Sequence, residues 1–289
     1  MNLLKRVEVL SFIFLATILA ACGGGATANT PGATVVSNTA AVVPTAIPAA
    51  SGDMATAIAR ANATQGSPCV GAQPVAGENI QPNGGGKWTA PAQVIDATHT
   101  YCAIFTTTNG RIVAELFSRI APQNVNNFVF LAKQGYYENI TWHRVIQGFM
   151  AQSGDPTGTG AGGPGYGNIP LEMNPAVTYD RPGRLGVART NDPNSAGSQF
   201  FITFAPQSAL DPGPNGPGYT IMGQVVEGLN VVNQIKIRNV DQNPNLPKGD
   251  TLISVRVVDL GAAGAAPSAP ATAAATLAEP SQATAQATQ

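Results

Sequence analysis

The run Tyr101–Phe117, YCAIFTTTNGRIVAELF, constrains the fold more than any other stretch of the chain. Asn109-Gly110 sits between two apolar, β-branched segments. A two-residue connection of this kind needs positive φ at its central positions, which Asn and Gly tolerate, and its twist matches that of antiparallel strands. The ordered part of the chain is therefore expected to open with a β-hairpin. Further short strand-like segments follow, ITWHRVI, FMAQSG, RLGVART, QFFITFA, YTIMGQVV and LISVRVVDL, separated by Gly- and Pro-rich turns. APQNVNNFVFLAKQG reads as a helix. Pro122 suits its first turn, Gly135 suits its stop, and Val125, Phe128, Val129 and Ala132 share one face. GLNVVNQIKI reads as a second, short helix. Roughly eight strands and two helices in about 170 residues predict a mainly β fold, a closed eight-stranded antiparallel barrel capped by two α-helices.

The ends of the chain have a different character. Charged residues make up 11% of the 289 residues, against roughly 25% in an average soluble domain, and the deficit is concentrated outside the strand-rich block. The first residues, MNLLKRVEVLSFIFLATILAAC, carry Lys5 and Arg6 ahead of an apolar run. About a dozen apolar residues suit a signal-peptide core better than a full membrane span. Leu19-Ala20-Ala21-Cys22, followed by Gly23, resembles the bacterial lipobox, whose cysteine is lipidated and becomes the new N-terminus. The resemblance implies a protein held at a membrane in the cell envelope by acyl chains on Cys22. The expected organisation is a leader at 1–22, a low-complexity tether at 23–90, a folded domain at 91–262 and a disordered Ala/Thr/Pro-rich tail at 263–289. Within the tether, MATAIARANATQ from Met54 reads as a short helix. Cys69 and Cys102 are the remaining cysteines. An oxidising compartment permits a disulfide between them, a staple of the tether onto the domain; two unpaired thiols are the alternative.

Several kinds of chemistry are disfavoured. A net charge of −1 and a pI near 6.1 argue against a nucleic-acid binder. GTGAGG at Gly158–Gly163 fits the pattern G-x-G-x-x-G, but that motif needs a helix after it, and here Pro164-Gly165-Tyr166-Gly167 follows. It is better read as a glycine loop bordering a groove. The two histidines, His99 and His143, lack partners at metal-ligand spacing. Ser195 and Ser198 have no base nearby in the sequence. No metal or organic cofactor is expected.

What remains is WHRVIQGFMAQSGD, Trp142–Asp155, which gathers Arg144, Phe149, Met150 and Gln152. Together, HRVIQGFMAQSGDPTGTGAGGPGY, NSAGSQFFIT and LDPGPNGPGYTIMGQVVEGLNVV resemble the cyclophilin-type peptidyl-prolyl cis-trans isomerases, in order from Tyr101 to Leu260. The resemblance implies an eight-stranded barrel with two capping helices and turnover of X–Pro bonds in proline-containing polypeptides, by a protein expected to be monomeric. It implies catalytic roles for Arg144 and Gln152. It implies substrate contacts from His143, Phe149, Met150, Ala188, Arg189, Gln199, Phe201, Leu210 and Tyr219. A proline-binding or chaperone module with little turnover is the alternative function. The chain departs from the family at Ala209, where Trp is frequent and contributes to cyclosporin binding. It also departs at Gln147 and Arg189, and in a longer turn at Asp211–Gly218.

Overall fold

Asn109-Gly110 turns the chain between β1 (His99–Thr107) and β2 (Gly110–Leu116), which pair antiparallel with Thr107 opposite Gly110. The Thr107 hydroxyl locks the turn by accepting the Asn109 N–H and donating to the Gly110 carbonyl. This computed structural model describes residues 54–262 apart from 64, 84, 215 and 244. The leader with Cys22, the start of the tether and the tail lie outside the described residues.

Seven more strands complete one antiparallel sheet: β3 (Ile140–Thr141), β4 (Arg144–Ile146), β5 (Met150–Ser153), β6 (Arg184–Val187), β7 (Phe200–Thr203), β8 (Ile221–Glu227) and β9 (Thr251–Ala262). Their order is β3-β9-β1-β2-β8-β6-β7-β5-β4. The count is nine, where eight strands were expected, and the reason is local. ITWHRVI reads as one strand, but its two halves pair with opposite edges of the sheet, β3 with β9 and β4 with β5. Between them the chain turns a corner at Trp142, whose buried ring meets Phe200 edge-on at 5.9 Å. The sheet curls until its two edges are consecutive in the chain. Among the described residues no ladder joins β3 to β4, so the expected closed barrel is here a curled nine-stranded sheet. The outer edge of β4 is met instead by an isolated bridge, Val145 opposite Arg238.

The concave side holds the main core, where Phe128 and Phe200 meet each other and each meet both Phe105 and Tyr137. Helix α2 (Pro122–Lys133) covers it with Val125, Phe128, Val129 and Ala132, the face read from the sequence. Its first residues have no local side-chain cap. Glu172 replaces one from a distance, accepting the N–H groups of Gln123 at 3.1 Å and Asn124 at 2.9 Å. A carboxylate there also meets the positive end of the helix dipole. The second expected helix is only one turn, α3 (Leu229–Val232).

Within 54–90, expected as tether, several described residues pack against the sheet-bearing domain. Helix α1 (Met54–Asn62) buries Ala61. Arg60 pairs with the buried Glu115 of β2 at 2.6 Å, and Ser67 donates to the same carboxylate at 2.6 Å. Arg184, with no exposed surface, donates to the carbonyl of Ala61 and to Asp180. A guanidinium taken out of water needs such acceptors, so the arm completes the satisfaction of a cation inside the domain. Trp88 packs edge-on against Phe130. Cys69 and Cys102 are joined in a disulfide, with Cα atoms 5.4 Å apart and a sequence separation of 33. Closing a loop of this size stabilises by roughly 3–4 kcal/mol in the chain-entropy account. Replacing both cysteines by Ala is expected to lower the unfolding free energy by that order and to open the arm near residues 63–75 to protease, measured by urea denaturation and limited proteolysis.

Candidate active site

Strand register assembles the site. Directly opposed residues on neighbouring strands point to the same face of a sheet, and the next pair along points to the other. Val145, Ala151, Ile202 and Leu185 form one such row and belong to the main core. The adjacent row is Arg144, Gln152, Phe201 and Gly186, and it faces the other way. Met150, two residues before Gln152, shares that convex face. There, Met150, Phe201 and Leu210 join a second apolar cluster with Tyr179 and Ile221, flanked by the partly buried Phe149, Ala188 and Tyr219.

Most of the residues singled out in the sequence therefore meet on one surface. Tyr219 packs edge-on against Phe201 with ring centroids 6.0 Å apart. Arg189 lies over the Tyr219 ring at 4.4 Å and donates through Nε and Nη2 to the carbonyl of Gly218. It thereby ties down the end of the long turn after Asp211. Leu210 ends a short 3-10 turn, Ser208–Leu210, and the neighbouring Ala209 is exposed. Ala188 donates its N–H to the Gln199 carbonyl at 3.0 Å. A cavity of about 320 Å³ lies between Gln152, Ala188, Arg189, Gln199 and the glycine loop.

The glycine loop has its own anchor. Asp155 is fully buried. Its carboxylate accepts the N–H groups of Thr157, Thr159, Gly160 and Gly162, at 2.7 to 3.1 Å. Burial pushes the Asp155 pKa up, but the Thr157 hydroxyl and these N–H donors outweigh it and hold the carboxyl below its usual value. Such a concave set of amides is what binds a phosphate in nucleotide loops; here the chain's own carboxylate occupies it. The loop carbonyls of Gly160 and Gly162 accept from the Gln199 amide, whose oxygen accepts from Gln152 at 2.8 Å. Gln152 is thus held at its outer end by a chain leading back to Asp155.

His143 departs from its expected place at the groove edge. It is 2% exposed, and Gly160 covers its ring. Neither ring nitrogen makes a hydrogen bond of ordinary geometry, and burial pushes its pKa down. The covered imidazole packs beneath the glycine loop. Among the described residues no group of three or more His, Cys, Asp or Glu is placed to hold a metal ion.

Two features were missed in the sequence. Asp241 takes the Nε and Nη2 edge of Arg144, at 3.0 and 2.5 Å to Oδ2. The Arg144 guanidinium beside it lowers the Asp241 pKa. Nothing local signals this pair, since the partners are 97 positions apart in sequence. The other is Gly186. A Cβ there would lie 2.3 Å from the Phe201 ring and 2.4 Å from the Tyr179 hydroxyl, so only glycine lets both rings lie flat on β6. Gly186→Ala is expected to cost about 1–3 kcal/mol by overpacking, read as a lower urea midpoint, with Phe201 displaced.

A family model described as "Cyclophilin type peptidyl-prolyl cis-trans isomerase/CLD" matches residues 102–257. A protein of Aspergillus niger described as peptidyl-prolyl cis-trans isomerase-like 1 is 39% identical over 157 residues, spanning 54% of this chain and 93% of its own length. A protein of the same description from Rhizopus delemar is 43% identical over 145 residues, spanning 50% of this chain and 84% of its own length. A crystal structure of a cyclophilin-type isomerase from Cryptosporidium parvum, 31% identical, covers 55% of this chain and 98% of that chain with a TM-score of 0.46. With the match spanning more than half of the chain, this protein belongs to the cyclophilin-type peptidyl-prolyl cis-trans isomerases and is an isomerase of that kind.

Proposed function

We propose that this isomerase acts outside the cytoplasm, anchored by lipid on Cys22, on X–Pro bonds of unfolded or partly folded envelope proteins, and so assists their folding. The observation that carries the catalytic part is the cross-strand row that sets Arg144 beside Gln152 and Phe201. Rotation about an X–Pro bond meets a barrier of about 18–20 kcal/mol because the amide is conjugated. No bond is broken, so the task is to favour the twisted state over the planar one. In the twisted state the proline nitrogen regains a lone pair. Arg144, a guanidinium with several N–H donors, donates to that nitrogen. Gln152 holds the carbonyl oxygen of the preceding residue. Proline has no N–H to recognise, and the apolar hollow of Phe149, Met150, Phe201 and Leu210 takes its ring. Ala188, Arg189, Gln199 and Tyr219 line the run of the peptide beyond it. The enzyme acts as a monomer and uses no metal or organic cofactor.

The location rests on the lipobox-like Leu19–Cys22. The Cys69–Cys102 disulfide supports it, because disulfides persist in oxidising compartments and are rare in reducing ones. An arm stapled to the domain also suits a protein whose N-terminus is tethered to a surface.

Two measurements test the proposal. Arg144→Ala is expected to slow isomerisation of a proline peptide at least about tenfold, or roughly 1.4 kcal/mol of transition-state stabilisation. Thermal stability should hardly move, since exposed ion pairs contribute little. Unaltered turnover would sink the assignment of Arg144. Separately, Cys22→Ser is expected to release the protein from the membrane fraction; a variant still retained there in high salt argues against the lipid anchor.

A further inference from the structure

We propose that Asp241 is a positioning residue for catalysis, clamping the Nε–Nη2 edge of Arg144 so that the opposite edge of the guanidinium is held toward the bound amide. The inference rests on the assignment of Arg144 above and deepens it. A long arginine side chain that is 29% exposed has many conformers, and a donor that wanders contributes little to a transition state. A two-point contact to a carboxylate fixes the guanidinium plane as well as its position. Asp241 meets Nε at 3.1 and 3.0 Å through its two oxygens and Nη2 at 2.5 Å. Nη1 has no hydrogen-bond partner among the described residues and is left for substrate.

The clamp is itself built. Arg238, three residues before Asp241, is bridged to Val145 by backbone bonds in both directions, each 2.9 Å. Val145 is the immediate neighbour of Arg144, so the bridge registers the loop against the strand that carries the catalytic cation. The Arg238 side chain fastens the loop further, donating to the His143 carbonyl and to the carbonyls of Pro247 at 2.9 Å and Leu246 at 3.3 Å. The Asn239 carbonyl then accepts the N–H groups of Gln242 and Asn243, a turn that carries Asp241 back over Arg144. An exposed pair of this kind adds little to global stability, so its effect is expected in turnover and not in the melting temperature.

The test uses the full chain in detergent and compares Asp241→Asn, Asp241→Glu and Arg144→Ala, singly and with Asp241→Asn and Arg144→Ala combined. Asp241→Asn should lower kcat by about fivefold or more with KM nearly unchanged, and should leave the melting temperature within about 2 °C. Asp241→Glu should recover part of the loss, because a carboxylate is restored. In the Arg144→Ala background, Asp241→Asn should have no further effect. An Asp241→Asn enzyme that turns over as fast as the parent, or faster, overturns the positioning role. So does an equal loss in the presence and absence of Arg144, which would mean that Asp241 acts by another route. If Arg144→Ala itself is fully active, the assignment of Arg144 fails and this inference falls with it. If Arg144→Ala is impaired and Asp241→Asn is not, only this inference fails.

Discussion

The pairing of β5 with β4 on one side and β7 on the other is the constraint on which the site depends. Because side chains alternate between faces, a slip of one residue in either ladder would turn Arg144, Gln152 and Phe201 into the core and bring Val145, Ala151 and Ile202 to the surface. The core row prevents that slip. Val145, Ala151, Ile202 and Leu185 are fully buried, and exposing them would forfeit roughly 25 cal/mol for each Å² of apolar surface returned to water. The packing on one face of the sheet thus sets the geometry of the candidate site on the other. Gly186 extends the same row, where the missing side chain leaves room for Phe201.

Around this row, the polar groups are held from behind by charges with defined partners. Asp155 organises the glycine loop, the loop carbonyls orient Gln199, and Gln199 orients Gln152. Arg238 holds the loop that brings Asp241 to Arg144. Arg144 and Gln152 therefore each have one end already engaged by the protein itself, an arrangement that reduces the ordering a bound group would require. On the other flank, the N-terminal arm supplies Arg60 to Glu115 and a carbonyl to Arg184, and the disulfide keeps it there. Ala61 of the arm reaches the cluster that includes Phe201 and Leu210. The arm is thus continuous with the support of this apolar cluster, although it precedes the residues that match the family.

The amino-acid sequence by itself determined the local elements. Asn109-Gly110 marked the hairpin because only a few residues tolerate its dihedrals. The spacing of Val125, Phe128, Val129 and Ala132 marked the covering face of α2. The ordered motifs carrying Arg144, Phe149, Met150, Gln152, Phe201 and Leu210 marked the family and a candidate site, and register and packing bring these residues to one convex surface. Where sequence reasoning failed, contacts between distant residues had decided the outcome. ITWHRVI has the pattern of one strand, and only its two pairing partners divide it into two. Residues 54–90 have the composition of a tether, yet a buried Arg184 and Glu115 need the groups they carry. His143 sits beside Arg144 in the chain but is covered by Gly160, a contact no local pattern encodes. Asp241 is 97 residues from Arg144, and Glu172 caps a helix 49 residues before it. Local steric preference is written in neighbouring residues, whereas the pairing of charges and the covering of side chains depend on which distant segments the curled sheet brings together.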